Sequence, residues 1–250
     1  MAWSYQLYSS RNETDLAGVL SHLAGAGYSQ VEGYFGVFDD PKGVRALLDQ
    51  NGLSMPTAHV GLELIEKDAA AVGELAKTLG FNTVYAPFVM PEERPTDAAG
   101  WKAFAARLAK AAEAVGAEGL NFGWHNHDFE FVTLADGSTP MEHILEGAPG
   151  IEWEADVAWI VRGGADPVAW LSKYADRVTA VHVKDIAPEG ECLDEDGWAD
   201  VGEGVMPWGE LLKLAREKTA TKVFVMEHDK PSDTRRFAER SITNATKLGG

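Results

Sequence analysis

The sequence predicts a single α/β domain over residues 1–250, folded as a (β/α)8 TIM barrel. Short apolar runs alternate with amphipathic stretches along the whole chain, which is typical of repeated strand–helix units. Eight apolar runs in 250 residues match the strand number and the size of such a barrel. An open, doubly wound parallel sheet is the alternative, because it has the same alternation of strands and helices.

The predicted strands are short runs rich in β-branched and aromatic residues. They begin near Tyr5, Val31, Pro56, Thr83, Leu120, Ile151, Thr179 and Lys222. Apolar residues recur with helical spacing between them, as at Leu16, Val19, Leu20 and Leu23. Asn12, Asp40 and Asp97 are the predicted N-terminal caps of three helices. The acidic, aperiodic segment 187–207 interrupts this pattern and predicts a lid, a binding loop or a flexible segment.

Composition and charge limit the function. The chain has 39 acidic and 22 basic residues and a formal net charge of −17, which disfavours nucleic acid and anionic membranes as partners. The single cysteine, Cys192, has no partner for an intrachain disulfide. No run approaches the roughly 20 apolar residues that cross a bilayer, and no signal-like segment is apparent. We therefore expect a cytoplasmic protein.

Polar side chains are concentrated where the last four predicted strands end. If the strands close into a barrel, one residue from each strand can meet at its C-terminal face, where the chemistry of this fold is built. The predicted set is His127, Asp156, His182 and Glu227. Two imidazoles and two carboxylates suit one divalent Mn²⁺, Co²⁺, Zn²⁺ or Fe²⁺ better than Ca²⁺, which prefers oxygen ligands.

Other polar residues near these strand ends are candidates for catalysis and substrate binding. The predicted general base is Glu227 or a histidine of the pair His125 and His127. Lys184 is the predicted donor of a hydrogen bond or proton to a substrate oxygen, although a salt bridge to Asp156 or Glu154 would also explain it. The predicted substrate-binding residues are Glu32, His59, Glu154 and Trp159. Each also has a purely structural explanation, such as a salt bridge for Glu32 or core packing for Trp159.

At these residues the chain resembles the sugar phosphate isomerase/epimerase superfamily of xylose-isomerase-like TIM barrels. The resemblance covers essentially the whole chain. Its most specific parts are the segments 154–159, 163–167, 181–185 and 202–208. It implies a single divalent metal held by one residue from each of strands five to eight, commonly Glu, Asp, His and Glu. Asp156, His182 and Glu227 match the last three places.

The place on strand five departs from that pattern. The segment 124–130 reads WHNHDFE, and His127 is the best-aligned ligand, with Glu130 and Glu154 as alternatives. Ketose epimerases of the superfamily use two glutamates as an acid/base pair on opposite faces of the substrate. A histidine in one of these places disfavours that symmetric mechanism. The resemblance also implies a homodimer, because dimers are common among such proteins.

The resemblance implies isomerisation or epimerisation of a sugar or keto-sugar through a metal-stabilised enediolate. The alternative from another reaction class is a lyase that dehydrates a keto-inositol or cleaves a 3-keto-glycoside. A nuclease is disfavoured by the charge of −17, and a non-catalytic sugar-binding barrel remains a further alternative. The last two strand ends offer few basic residues, so an unphosphorylated small-molecule substrate is favoured.

Overall fold

A computed structural model describes residues 2–249 of the chain. Eight parallel strands form a closed barrel in the order β1-β10-β7-β6-β5-β4-β3-β2, which confirms the predicted TIM barrel and excludes the open sheet. The barrel strands are β1 (Trp3–Gln6), β2 (Gln30–Gly33), β3 (Ser54–His59), β4 (Thr83–Ala86), β5 (Asn121–His125), β6 (Glu152–Asp156), β7 (Val178–Val183) and β10 (Val223–Met226). Two further short strands, β8 (Asp185–Ile186) and β9 (Trp198–Ala199), lie outside the barrel.

Helices connect the strands. They are α1 (Leu16–Ala26), α2 (Pro41–Asn51), α3 (Leu62–Lys67), α4 (Ala69–Leu79), α5 (Ala98–Ala117), α6 (Pro140–Gly147), α7 (Val157–Arg162), α8 (Pro167–Lys173), α9 (Trp208–Lys218) and α10 (Thr234–Gly249). Short 3-10 helices cover Leu7–Ser10, Phe35–Val37, Pro91–Glu93, Phe129–Phe131 and Leu193–Glu195. None of the helices in the described part of the chain has the length and apolar character needed to span a bilayer.

The helix caps follow the expected side-chain chemistry. Asp40 and Asp97 accept hydrogen bonds from the backbone of α2 and α5, as predicted. For α1 the prediction was wrong, because Asp15 and not Asn12 is the cap and accepts from the backbone N–H of Gly18. Asp15 directly precedes the first apolar helical residue, whereas Asn12 lies three residues too early to reach the free N–H groups of the first turn.

Tyr85 fills the floor of the barrel. Its hydroxyl lies 2.8 Å from the hydroxyl of Thr179, and Thr179 donates to a carboxylate oxygen of Glu152 over 2.7 Å. A Cβ atom at Gly123 would lie 2.6 Å from the Tyr85 ring, so glycine at this position of β5 leaves the space that the ring occupies. The aromatic floor closes the barrel from below and leaves its upper end for chemistry.

The acidic segment 187–207 is ordered by its own contacts. β8 and β9 pair antiparallel at its base. Asp185 accepts hydrogen bonds from the backbone N–H groups of Ile186, Gly202 and Met206, and these bonds hold the two ends of the segment together. The segment is therefore ordered, and its Trp198 packs against Trp159 with ring centroids 4.8 Å apart.

Candidate active site

A cavity of about 330 Å³ opens at the C-terminal end of the barrel. His59, His125, His127, Glu227 and Asp229 are among the residues that line it. They come from β3, from β5 and the turn after it, and from the turn after β10. Polar residues from three strand ends thus meet around one cavity at the C-terminal face of the barrel.

Four buried side chains form a group at the base of this cavity, which we call the upper group. It consists of His125, Asp156, His182 and Glu227, and one potential ligand atom from each lies within 4.8 Å of the others. Within residues 2–249, Asp156 Oδ2 is buried and has no hydrogen-bond partner, and His125 Nδ1 makes no contact of hydrogen-bond geometry although Glu154 Oε2 lies 3.2 Å from it. Buried polar atoms without partners are costly, and a bound cation would satisfy a carboxylate oxygen of this kind. The donor set and its unsatisfied atoms therefore fit a divalent transition metal.

His127 lies outside this group, in contrast to the ligand set expected from the sequence. β5 ends at His125, and the chain then turns into the 3-10 helix Phe129–Phe131, where Glu130 accepts from the backbone N–H of His127 over 2.8 Å. The strand alternation that suggested His127 therefore stops two residues before it. Its ring centroid lies 5.1 Å from that of His125 and 5.3 Å from that of Trp159, nearer the cavity mouth.

A second set of buried residues, the inner group, lies beneath the upper group. It consists of Glu32, His59 and Glu154 together with the rings of His125 and His182, which also belong to the upper group. His59 Nε2 lies 2.6 Å from Glu154 Oε2 and 3.2 Å from Glu32 Oε1. All of these side chains are buried, so their mutual charges act with little screening by water. Three of the four residues predicted to bind substrate thus lie beneath the upper group, and of these His59 also lines the cavity, whereas Trp159 packs against His127 with ring centroids 5.3 Å apart.

His182 joins the two groups through its two ring nitrogens. Nδ1 lies 3.1 Å from Glu227 Oε2, and Nε2 lies 2.8 Å from Glu32 Oε1 and 3.3 Å from Glu154 Oε2. Burial alone would lower the pKa of His182, but the surrounding carboxylates, Glu154 and Glu227 foremost, raise it well above its usual value. The carboxylate beneath the ring resembles the outer partner that commonly orients a metal-bound imidazole.

Glu32 is itself held from both sides. Gln6 donates to its Oε1 over 2.7 Å, and the Thr57 hydroxyl donates to its Oε2. Burial and the nearby Glu154 raise its pKa, while His59 and His182 lower it. Because Gln6, Glu32 and Thr57 belong to the adjacent strands β1, β2 and β3, the barrel itself fixes the carboxylate under His182.

Lys184 is fully buried among three carboxylates. Its ammonium is bonded to Asp229 and lies 3.1 Å from Glu227 Oε2 and 3.6 Å from Asp156 Oδ2. It also lies 4.2 Å from the ring centroid of Trp198. Burial would lower the pKa of Lys184, but Asp229 and the other carboxylates raise it above its usual value, so the group stays charged. Lys184 thus lies behind the upper group and helps to fix Glu227.

Asn126 is a site residue that the sequence reasoning missed, and Glu130 was expected only as an alternative metal ligand. The side-chain oxygen of Asn126 accepts from the backbone N–H of Asp156 over 3.0 Å, and its amide donates to the Asp156 carbonyl over 3.1 Å. Glu130 accepts from Trp124 Nε1 over 2.9 Å as well as from His127, and burial raises its pKa to about 8. The cluster of polar residues directly after a buried strand, HNHDFE, was the available signal for both.

Comparisons with known proteins agree with this architecture. Residues 20–245 match the family described as xylose isomerase-like TIM barrel. A curated relative, inosose dehydratase from Geobacillus kaustophilus (strain HTA426), is 27% identical over 193 residues, which is 67% of this chain and 61% of the relative. The match thus spans about three-fifths of the length of that relative.

Solved structures share the fold over nearly the whole chain. A sugar phosphate isomerase/epimerase from Parabacteroides distasonis ATCC 8503 superposes with a TM-score of 0.83 at 21% identity, covering 100% of this chain and 95% of the other. The IOLI protein with a bound zinc atom gives a TM-score of 0.76 at 16% identity, covering 99% and 96%. Identities this low show a common fold and leave the substrate open. The match over residues 20–245 shows that the chain belongs to the xylose isomerase-like TIM barrel family.

Proposed function

We propose that the protein is a metal-dependent enzyme that removes a proton from the carbon next to the carbonyl of a keto-sugar or keto-polyol and then expels a β-oxygen substituent. The observation that carries this proposal is the upper group at the base of the cavity, with His125 in the place of a second carboxylate. The isomerase/epimerase reading of the sequence and the lyase alternative share the first step and differ in the second. The asymmetric donor set supports the lyase.

The residues proposed to hold the metal are His125, Asp156, His182 and Glu227. When bound, a divalent metal supplies Lewis-acid polarisation of a substrate carbonyl and stabilises the negative charge that develops on its oxygen. The nitrogen and carboxylate donors suit Zn²⁺, Mn²⁺, Fe²⁺ or Co²⁺. The unpartnered Asp156 Oδ2 supports this assignment.

His127 is the proposed proton-transfer group. It lines the cavity, and its Nδ1 has no hydrogen-bond partner within residues 2–249. Its ring is held between Trp159 and Phe88, with centroid separations of 5.3 and 5.0 Å, so it faces the cavity at a fixed angle. A positioned neutral imidazole can accept the proton of the carbon next to a carbonyl. Lys184, enclosed by carboxylates, is proposed as a positioning residue for Glu227.

The difference between elimination and epimerisation lies in the number of proton carriers required. Epimerisation needs one acid/base group on each face of the reacting carbon. Elimination needs one base, while the proton that accompanies the departing oxygen can return from the same group. Glu227 is tied to Lys184 and His182 over 3.1 Å each, and strand five supplies no second glutamate to the upper group. Among the described residues this arrangement favours a single mobile proton carrier, which supports elimination of water or an alcohol.

The test measures two things separately: the proton removal that both candidate reactions share, and the product that distinguishes them. Mn²⁺-loaded protein would be incubated in D₂O with an inosose, a 3-keto-glucoside and a ketohexose, and followed by NMR. We expect proton loss next to the carbonyl and an unsaturated product from the inosose or the keto-glucoside. His127→Asn should abolish the reaction, whereas His143→Asn on α6, remote from the cavity, should not. Exchange that yields only an isomer would establish the second candidate, isomerase/epimerase. Absence of exchange with all three substrates would refute the proposal.

A further inference from the structure

The cavity mouth differs in chemistry from its base. Four aromatic side chains, which we call the aromatic rim, line the mouth: Tyr8, Tyr34, Phe35 and Phe88. Tyr8 packs edge-on against Tyr34 with ring centroids 5.6 Å apart, and Tyr34 packs against Phe35 at 5.2 Å. Phe35 is 72% exposed. A large apolar ring left this open beside a polar site indicates a surface that a ligand covers.

The rim provides little for sugar hydroxyls. Titratable side chains that line the cavity, such as His59, His125 and Glu227, lie at its base, and of the four rim residues Tyr8 and Tyr34 each contribute one hydroxyl and the two phenylalanines contribute no polar group. A second sugar ring would bring several hydroxyl groups to this surface. Specific sites pair such groups with placed polar side chains. The rim therefore fits an apolar substituent better than a second sugar.

The charges at the cavity disfavour a phosphate ester. None of the described residues that line it is Lys or Arg, while Glu227 and Asp229 both line it. Two guanidinium groups stack on aromatic rings beside the rim: Arg11 lies 4.1 Å from the centroid of Tyr8, and Arg94 lies 4.9 Å from that of Phe88 and 3.6 Å from that of Phe129. The lining therefore offers a phosphate two carboxylates and no lysine or arginine to bind it. An uncharged ligand fits this lining better.

We propose that the aromatic rim binds an aryl substituent, so that the substrate is an unphosphorylated aryl glycoside whose sugar ring carries the keto group. This inference rests on the proposed function for the position of the sugar ring, which would lie over the upper group. The aryl ring would then stack on Phe35 and Tyr34 and, across the mouth, on Phe88. The cavity volume of about 330 Å³ lies at the small end of the roughly 300–1,000 Å³ of ligand pockets, so part of the aryl group would extend over the exposed Phe35.

The binding test uses stable probes on Mn²⁺-loaded protein. Titration calorimetry would compare p-nitrophenyl β-D-glucoside with methyl β-D-glucoside, cellobiose and glucose 6-phosphate. We expect the aryl glucoside to bind most tightly. Because one aromatic pair contributes about 2- to 12-fold in affinity, Phe35→Ala should weaken binding of the aryl glucoside by that factor and leave the affinity for methyl glucoside unchanged. Leu193→Ala, at a side chain that is 73% exposed on segment 187–207, is the matched control and should have no effect.

Failure of the aryl-binding inference and failure of the proposed reaction would give different results. Equal affinity for aryl and methyl glucosides, or tighter binding of cellobiose or glucose 6-phosphate, would overturn the aryl assignment whatever the activity. Aryl-selective binding that Phe35→Ala removes, without any reaction of p-nitrophenyl 3-keto-glucoside, would uphold the rim and refute the reaction. Equal turnover of methyl and aryl 3-keto-glucosides by wild type and Phe35→Ala would uphold the reaction and refute the rim.

Discussion

Replacement of Glu32 by glutamine tests whether the inner group positions the proposed metal ligand His182. The substitution preserves shape and removes one negative charge. Glu32 Oε1 accepts from Gln6 over 2.7 Å and lies 2.8 Å from His182 Nε2, and a glutamine oxygen at that position would keep both partners. The new amide would face the Thr57 hydroxyl, which can rotate and accept. The variant should therefore fold normally and lose only the charge beneath the imidazole.

The expected loss of metal affinity depends on the contacts that His182 keeps in the variant. Loss of an outer partner of a metal-bound histidine typically costs about 10- to 100-fold in metal affinity. Glu154 Oε2 still lies 3.3 Å from His182 Nε2 and retains part of the interaction. We therefore expect a loss of about tenfold for Glu32→Gln, about 1.4 kcal/mol, and about 100-fold when Glu154→Gln is added.

The assay is competition between the protein and a chelating indicator for Mn²⁺ or Zn²⁺, with unfolding followed by circular dichroism. Glu152→Gln is the matched control, because Glu152 also projects from a barrel strand but bonds to Thr179 on the floor. It should leave metal affinity unchanged. Wild-type affinity in Glu32→Gln and in the double variant would refute the view that these carboxylates orient His182.

Three further predictions concern β5 and the turn after it. His125→Asn should remove bound metal, whereas His127→Asn should retain it within about threefold, as elemental analysis would measure. Asn126→Ala should destabilise the fold by about 1–3 kcal/mol and weaken metal binding, because it leaves the buried N–H of Asp156 without its acceptor; denaturant unfolding measures the first and metal titration the second. Burial raises the pKa of Glu130 from its ordinary value of 4.5 to about 8, so between these pH values the folded protein holds a proton that the unfolded chain has lost. The free energy of unfolding should therefore fall as pH rises from 4.5 towards 8, by at most about 1.4 kcal/mol per pH unit. Glu130→Gln should flatten this profile in denaturant titrations.

Specific results would contradict these predictions. Metal loss in His127→Asn with retention in His125→Asn would restore the ligand set expected from the sequence. Asn121→Ala, an exposed substitution at the start of the same strand, serves as the control for Asn126→Ala and should be close to neutral. Identical pH profiles of wild type and Glu130→Gln between pH 5 and pH 8 would mean that Glu130 is already ionised in the folded protein.

The barrel and the place of the site could be predicted from the sequence because both depend on local patterns. Apolar runs with strand length and helical spacing between them define eight βα units, and parallel strands bring their ends to one face. Asp156 and His182 are partners in register on β6 and β7, so their proximity follows directly from that topology.

The details that the sequence could not specify depend on where a strand ends and on contacts distant in sequence. Alternation could not tell His125 from His127, because the sequence does not mark the residue at which β5 turns into a 3-10 helix. The contacts within the inner group could not be predicted from the sequence either. Glu32 and His182 are 150 residues apart, and only the closure of the barrel brings them within 2.8 Å. Asn126 was overlooked because its role is to bond the backbone of the next strand.

The most direct test of the central claim is the metal content of the purified, untagged protein and of two variants. We predict about one divalent transition metal per chain in the wild type after reconstitution. Asp156→Asn and His182→Gln should lose it, while folding as judged by circular dichroism is retained. A wild-type protein that binds no metal, or variants that bind it as well as wild type does, would contradict the assignment of the upper group as a metal site.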